Sequence, residues 1–357
     1  MRFIKVGIEK LHGILKKNAY LSKLQPILNA LDEALFGTDK VNSLPHIADR
    51  IDIKRFMTTV IIALVPATLA SIYFWGLRVL AIIVVSYVFG GLVEVAFAIV
   101  RKKEIHEGFL VTGLIFPLIL PPSTPLWVVA VGVVFGVLFG KEVFGGTGKN
   151  IFNPAIVGRI FLSVAFPKIM SSNWQMPFTS GLGGFLHYQN TLDAVTSATP
   201  LALLKNQATA TSYANLLFGQ SAGCIGETFR IGLIIGGVFL IFTRIIDWRI
   251  PLTYLSTVLV FAGANSYFFH NSNIAPAGFQ LLSGGLLLGA FFMATDPVTS
   301  PFTKGGRWIA SILLGLLTVL IRSFSGYVEG VMFSILILNV FSPLIDTVVL
   351  NIRYRKK

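Results

Sequence analysis

The run Asp193-Ala194-Val195-Thr196-Ser197-Ala198-Thr199-Pro200-Leu201 places a carboxylate ahead of Thr199 and fills the gap with small and hydroxyl-bearing side chains. A threonine hydroxyl is a weak nucleophile unless activated, but an enzyme that recognises the local sequence can esterify it. Two readings fit these residue types: an ordinary, accessible Ser/Thr turn before Pro200, or a covalent attachment site. On residue types alone the turn is the commoner outcome.

Other residues invite chemistry of different kinds. Asn150 and Asn153 follow Gly145, Gly146 and Gly148, and their amides can donate and accept around a flat polar ring. The rival is a helix-entry cap at Asn150 with close glycine packing. Gly90-Gly91 would let either a second helix or a flat ligand approach the backbone. Glu94 and Asp346 fall inside apolar runs, and Asp296 ends one. Carboxylates there are costly and offer hard oxygen donors to a cation such as Na+; a structural ion pair or a cytoplasm-facing carboxylate is the alternative. His46, His106, His187 and His270 lie outside the runs without a ligand pair at helical spacing, and His12 reads as solvated, so no metal site is expected. Cys224 is the single cysteine, which excludes an internal disulfide and an iron–sulfur cluster held by this chain alone. There is no Gly-rich dinucleotide fingerprint after a strand.

The elements that must position these residues follow from composition. The 357 residues are 54% hydrophobic and 13% charged, with a mean hydropathy of +0.76. A soluble core cannot absorb so much apolar surface. Apolar runs near 56–76, 78–100, 109–121, 125–140, 152–167, 230–246, 250–268, 279–295, 307–323 and 328–350 predict an all-α membrane protein of about ten transmembrane helices. The third run is short and ends at Pro121-Pro122, as a broken or re-entrant element buried in protein would.

Of 29 Lys and Arg, 23 fall on the side that holds the N-terminus, the 101–107 loop and the C-terminal tail. Five (Arg78, Lys168, Lys205, Arg230 and Arg322) fall on the other side, and Arg159 lies within a run. Both termini are therefore expected in the cytoplasm. The net charge of +13 reads as a topology signal rather than nucleic-acid binding. Residues 1–55 form an amphipathic cytoplasmic extension without a cleavable signal. A five-helix unit over 56–167 precedes a periplasmic loop over 168–229; a second unit over 230–351 and a basic tail over 352–357 follow. Gly108-Phe109-Leu110 to Pro121-Pro122 echoes Gly285-Leu286-Leu287 to Asp296-Pro297. Five spans per unit would set the two copies inverted in the bilayer, as in transporter-like or cofactor-holding scaffolds.

The 193–199 run resembles the flavinylation motif of the membrane subunits of sodium-pumping NADH:quinone reductase and of the Rnf complex, with Ser197 where Gly is commoner. Glu107-Gly108-Phe109-Leu110-Val111-Thr112, the block from Gly140 to Asn150, Asn153-Pro154-Ala155 and Phe292-Met293-Ala294-Thr295-Asp296-Pro297-Val298 extend the likeness over most of 45–352. They are similar to the family of B subunits of the sodium-pumping reductase. The resemblance implies FMN esterified to Thr199 by a separate flavin transferase that recognises Asp193, Thr196, Ser197 and Ala198. It further implies noncovalent riboflavin near Asn150 and Asn153, quinone near Gly90 and Gly91, and sodium uptake or coupling at Glu94, Asp296 and Asp346. Expected partners are the A, C, D, E and F subunits of the same complex, quinone and the lipid of a bacterial inner membrane, but no nucleic acid. NADH oxidation would occur on another polypeptide of the complex. The competing readings are the D-type membrane component of an Rnf ferredoxin:NAD oxidoreductase and, without any flavin, a passive solute channel.

Overall fold

A computed structural model describes residues 53–102, 108–172, 174–178, 184, 198–207, 211–269, 274–325 and 329–355. The expected extension over 1–55 therefore lies almost wholly outside the described residues. So do Asp193, Thr196, Ser197, Glu107, all five histidines and the last two residues of the tail.

α1 (Ile53–Trp75) and α2 (Leu77–Arg101) are separated by Gly76 alone, whose φ of 78° suits a residue without a Cβ. α3 (Gly108–Leu118) stops short, and its last residues are followed by Pro121 and Pro122, which cannot donate to a continuing helix. α4 (Leu126–Gly140) leads through a turn with left-handed Gly145, Gly146 and Gly148 into α5 (Pro154–Ala165). α6 (Pro167–Ser172), α7 (Pro200–Gln207), α8 (Tyr213–Phe218) and a 3-10 turn, Ile225–Glu227, occupy the long connection.

The second half comprises α9 (Arg230–Phe242), α10 (Arg249–Ala264), α11 (Ala277–Leu282), α12 (Leu286–Leu288), α13 (Lys304–Phe324) and α14 (Val331–Tyr354). The run expected as one span over 279–295 is broken. Gly284, at φ 65°, separates α11 from α12, and a π-helical turn, Gly289–Met293, completes the segment. The apolar sequence is continuous here, whereas backbone geometry interrupts it.

Among the described residues, five helices are long and apolar enough to cross a membrane: Arg55–Trp75, Leu77–Arg101, Leu126–Phe144, Lys304–Phe324 and Val331–Tyr354. Gly108–Leu118, Pro154–Ala165, Arg230–Phe242 and Arg249–Ala264 are shorter apolar helices. Large side chains such as Leu69, Val84, Leu92, Phe242, Val260 and Leu344 stay exposed along these surfaces. Lipid replaces water at such faces, and the chain is a multi-pass membrane protein.

The two halves pack alike. α2 lies against α3 and α4, and α4 against α5; α10 lies against α11 and α13, and α13 against α14. Between the halves α1 meets α9 and α5 meets α14, so first meets first and last meets last. Small residues permit these approaches: the α9 glycine Gly236 packs on the backbone of Ala63 in α1.

Candidate functional site

Two polar clusters lie at opposite ends of α1 and α2. At the Arg101 end, Lys141 follows the last turn of α4 and pairs with Glu94 of α2; both are nearly inaccessible. Arg101 reaches Glu142 at 2.7 Å. Glu94 is thus held in a structural ion pair, the alternative left open by its sequence context. Asp346 of α14 is also engaged structurally. Its carboxylate accepts the amides of Phe302 (2.9 Å) and Thr303 (3.0 Å) and the Thr303 hydroxyl, while Thr303 caps α13 by accepting from Gly306. Between α9 and α10, Asp247 pairs with Arg249 and Arg307. Burial alone would raise its carboxyl, but the Arg249 amide and the Arg307 and Arg249 guanidiniums hold it below the usual value.

A small open cleft, with a cavity volume of about 60 Å³, lies at this end between α1, α3, the start of α5 and the π-helical turn. Its walls are mostly apolar (Phe56, Val60, Ile115, Phe291, Phe292), with Thr112, Thr295, Asn153 and Asp296 as polar points. Asn153 caps α5: its Oδ1 accepts the Ala155 amide at 3.0 Å, which leaves Nδ2 to make a 3.5 Å contact with Asp296. Asp296 also accepts the Val298 amide at 3.1 Å. Asn150, for which a helix-entry cap is the rival reading to riboflavin binding, donates instead to the carbonyl of Phe152 at 3.0 Å. The reason is Pro154: proline suits the first helical position, so the residue before it becomes the cap. Asn153 and Asp296 therefore share one cleft, which Asn150 does not line.

Gly90 and Gly91 face a ring of the protein itself. A Cβ on Gly90 would lie 2.6 Å from the Phe109 ring, and one on Gly91 3.4 Å from it. The structure fills this glycine notch with α3.

At the Trp75 end lies Thr199. Its Oγ1 accepts the Ala202 amide at 3.3 Å, and its carbonyl accepts the Leu203 amide at 2.8 Å, so it is the N-cap of α7. It is 8% exposed, in contrast to the accessible hydroxyl expected from its neighbours. Residue types did not reveal that α7 forms at all, or that Leu201 seats it against Leu216, Ala275 and Phe279. Ala198, just ahead, is half-buried.

A set of residues unclaimed by sequence reasoning lies below α7. Cys224, Glu227 and Glu329 bring a thiol and two carboxylates within 4.8 Å of one another. Arg230 and Arg322 are buried nearby and bond to neutral oxygens: Arg230 to Leu216 and Ser221, Arg322 to Gln280 and Ser283. Burial first, and then the two carboxylates, push the Cys224 thiol well above its usual range. The available signal was the arginines: Arg159, Arg230 and Arg322 sit in or at apolar runs, where they served only as markers of topology.

A family model described as NQR2, RnfD, RnfE matches residues 40–355 of this chain. The B subunit of the Na(+)-translocating NADH-quinone reductase of Ectopseudomonas mendocina is 34% identical, covering 99% of this chain and 98% of its own. The corresponding B subunits of Klebsiella pneumoniae strain 342 and Pseudomonas aeruginosa strain LESB58 are 33% and 32% identical, covering 98% of this chain and 98% and 97% of their own. On a match spanning nearly the whole length, the chain belongs to the NQR2, RnfD, RnfE family.

Proposed function

We propose that this chain is the flavin-carrying membrane subunit of a Na+-translocating NADH:quinone reductase in a bacterial inner membrane. In this reading, electrons pass from covalent FMN via riboflavin to quinone, coupled to Na+ export. The fold has ten spans in two inverted five-helix repeats with cytoplasmic ends. The near-full-length relatives, named as B subunits of that enzyme, support it, as does the duplicated packing of α1–α5 and α9–α14. Other polypeptides of the complex supply NADH oxidation, and a flavin transferase loads Thr199.

The observation that carries the reading is Thr199 at the N-cap of α7. The first turn of a helix presents unpaired amides and a positive dipole end, which suit a phosphodiester. The Leu201 amide lies in that turn, the Ala202 amide is already held by Thr199 Oγ1 at 3.3 Å, and Pro200 fixes the first-turn geometry without needing a partner. Because Thr199 is buried in the docked helix, the transferase reaches it while α7 is lifted off. When bound, flavin supplies one-electron transfer; the protein supplies tether, orientation and electrostatics.

At the other end, the apolar walls of the cleft suit the faces of a riboflavin ring, and Asn153 Nδ2 and Asp296 suit its polar edge. Asn150 acts by holding the turn at Phe152. Gly90 and Gly91 shape a quinone region by seating Phe109. Glu94 and Asp346 shape the sodium route through the elements they fasten, and Asp296 is the carboxylate left facing a cleft. A passive channel would need no covalent flavin.

The test is Thr199→Ala in the assembled complex. A fluorescent covalent band on a denaturing gel should disappear from this subunit, and Na+-stimulated NADH-driven quinone reduction should fall with it. A band of undiminished intensity would move the attachment elsewhere, and turnover indifferent to Na+ would remove the pumping assignment.

A further inference from the structure

Glu227 and Glu329 have no place in the cleft or at the attachment threonine, yet they form the most unusual group of charges in the described residues. Glu227 closes the 3-10 turn before α9 and is 4% exposed. The carboxyl accepts the Cys224 amide at one oxygen and also bonds the Cys224 thiol, while among the described residues its Oε2 is buried and has no nitrogen or hydroxyl donor. Glu329 precedes α14, is half-buried, and accepts the Gly285 amide at 2.8 Å at the break between α11 and α12. The two carboxyls come within 4.8 Å of each other.

The surroundings decide what they do. Arg230 of α9 and Arg322 of α13 are cations that face them, but their bonds go to Leu216, Ser221, Gln280 and Ser283, and the Nε of each has no partner among the described residues. Arg159 of α5 acts on Cys224, and Tyr254 of α10 on Arg322. Toward the 3-10 turn, α1 contributes Ser71 and Trp75, bonded to Ile225 and Thr228, and α3 contributes the aliphatic Leu118. Among the described residues, no guanidinium donor therefore reaches Glu227 Oε2. A buried carboxylate oxygen without a donor is costly, whereas a protonated one acts as a donor itself. Glu329, with its carboxyl within 4.8 Å, is the neighbouring acceptor.

We infer that Glu227 and Glu329 share a single exchangeable proton and form a proton site beneath α7, filled when negative charge is placed on the group carried by Thr199. The inference rests on the attachment reading above. α7 is locked to this site: Lys205 donates to the Arg322 and Ser325 carbonyls at 3.4 and 2.7 Å. Leu201 and the Arg322 guanidinium both crowd Gly284, 3.1 and 2.8 Å from where its Cβ would be. Burial and the Glu329 charge push Glu227 up to about 7, so its occupancy responds to a nearby charge at neutral pH. The balance is one electron to the tethered group from the upstream redox donor of the complex, which is oxidised by one electron, and one proton from water to the Glu227 carboxylate, with the hydroxide released to solvent.

Infrared spectroscopy of the purified complex tests this. A protonated-carboxyl band should titrate between about pH 6 and 8 in wild type and in flavin-free Thr199→Ala. It should vanish in Glu227→Gln, and in Glu329→Gln it should titrate at lower pH, because a neighbouring negative charge is gone. On chemical reduction the band should grow in wild type and not in Glu227→Gln or Thr199→Ala. The gel fluorescence of the subunit reports separately whether flavin is attached. No titrating band, or a band unchanged by Glu227→Gln, overturns the site. A titrating band that ignores reduction while fluorescence shows the flavin present overturns its coupling.

Discussion

Single residues here do jobs that their types leave ambiguous. Glu94 reads as a cation ligand by its cost in an apolar run, but it is paired with Lys141. Removing one partner of a buried pair strands the other charge. Lys141→Met is therefore expected to cost roughly 3–5 kcal/mol, and the double substitution with Glu94→Gln should recover most of it. Thermal unfolding in detergent checks this. A raised Na+ requirement that persists in the stable double variant would assign Glu94 a part in ion uptake as well. Asn153 combines two jobs. Asn153→Ser keeps a capping oxygen and removes the Nδ2 donor, whereas Asn153→Ala removes both. Alanine should cost about 1 kcal/mol of stability and serine much less. Loss of noncovalent riboflavin in both variants would mark Nδ2 as a ligand; retention in serine would reduce Asn153 to a cap. From sequence the cap alternative falls at Asn150; its position at Asn153 follows only when Pro154 is given the first helical position.

At the scale of elements, the helices follow the hydropathy closely, because each must satisfy its own backbone and present apolar side chains to lipid. The breaks are less legible. α3 ends where prolines announce it, but the third run of the second half breaks at Gly284, one glycine among many. The notch at Gly90 is similar: sequence offered a ligand or a helix, and contact with Phe109 chose the helix. Gly90→Val should force α3 away from α2 and destabilise by about 1–3 kcal/mol. Phe109→Ala, by vacating the notch, should rescue the loss in thermal unfolding. A quinone role limited to the glycine backbone would show no such rescue.

For the whole molecule, the proposed inverted topology would put Thr199 and the cleft with Asn153 and Asp296 at opposite membrane faces. Cys224 is buried, so it provides a quiet background for introduced cysteines. Both Arg353, near the end of α14, and Ala214, on α8, are exposed. Arg353→Cys should react with a membrane-impermeant maleimide only from the cytoplasm, and Ala214→Cys only from the periplasm. Labelling of both from one side would collapse the transmembrane electron route.

Sequence by itself determined the membrane class, the apolar runs, the skew of Lys and Arg along the chain and the 193–199 run that resembles an attachment motif. Each is a local property: length and apolarity fix a helix in lipid, loop charge fixes its direction, and a short run carries a recognition signal. Tertiary structure decided which charges are paired and which are free. Glu94, Asp346 and Asp247 acquire partners from other helices or the ends of their neighbours, whereas Glu227 and Glu329 are brought together from positions far apart in the chain. The same folding buried Thr199 at a helix N-terminus and filled the glycine notch. Such outcomes depend on which elements meet, and burial sets their energies: a carboxylate costs little in water, and inside the bundle its state is set by whichever donor the fold brings within reach.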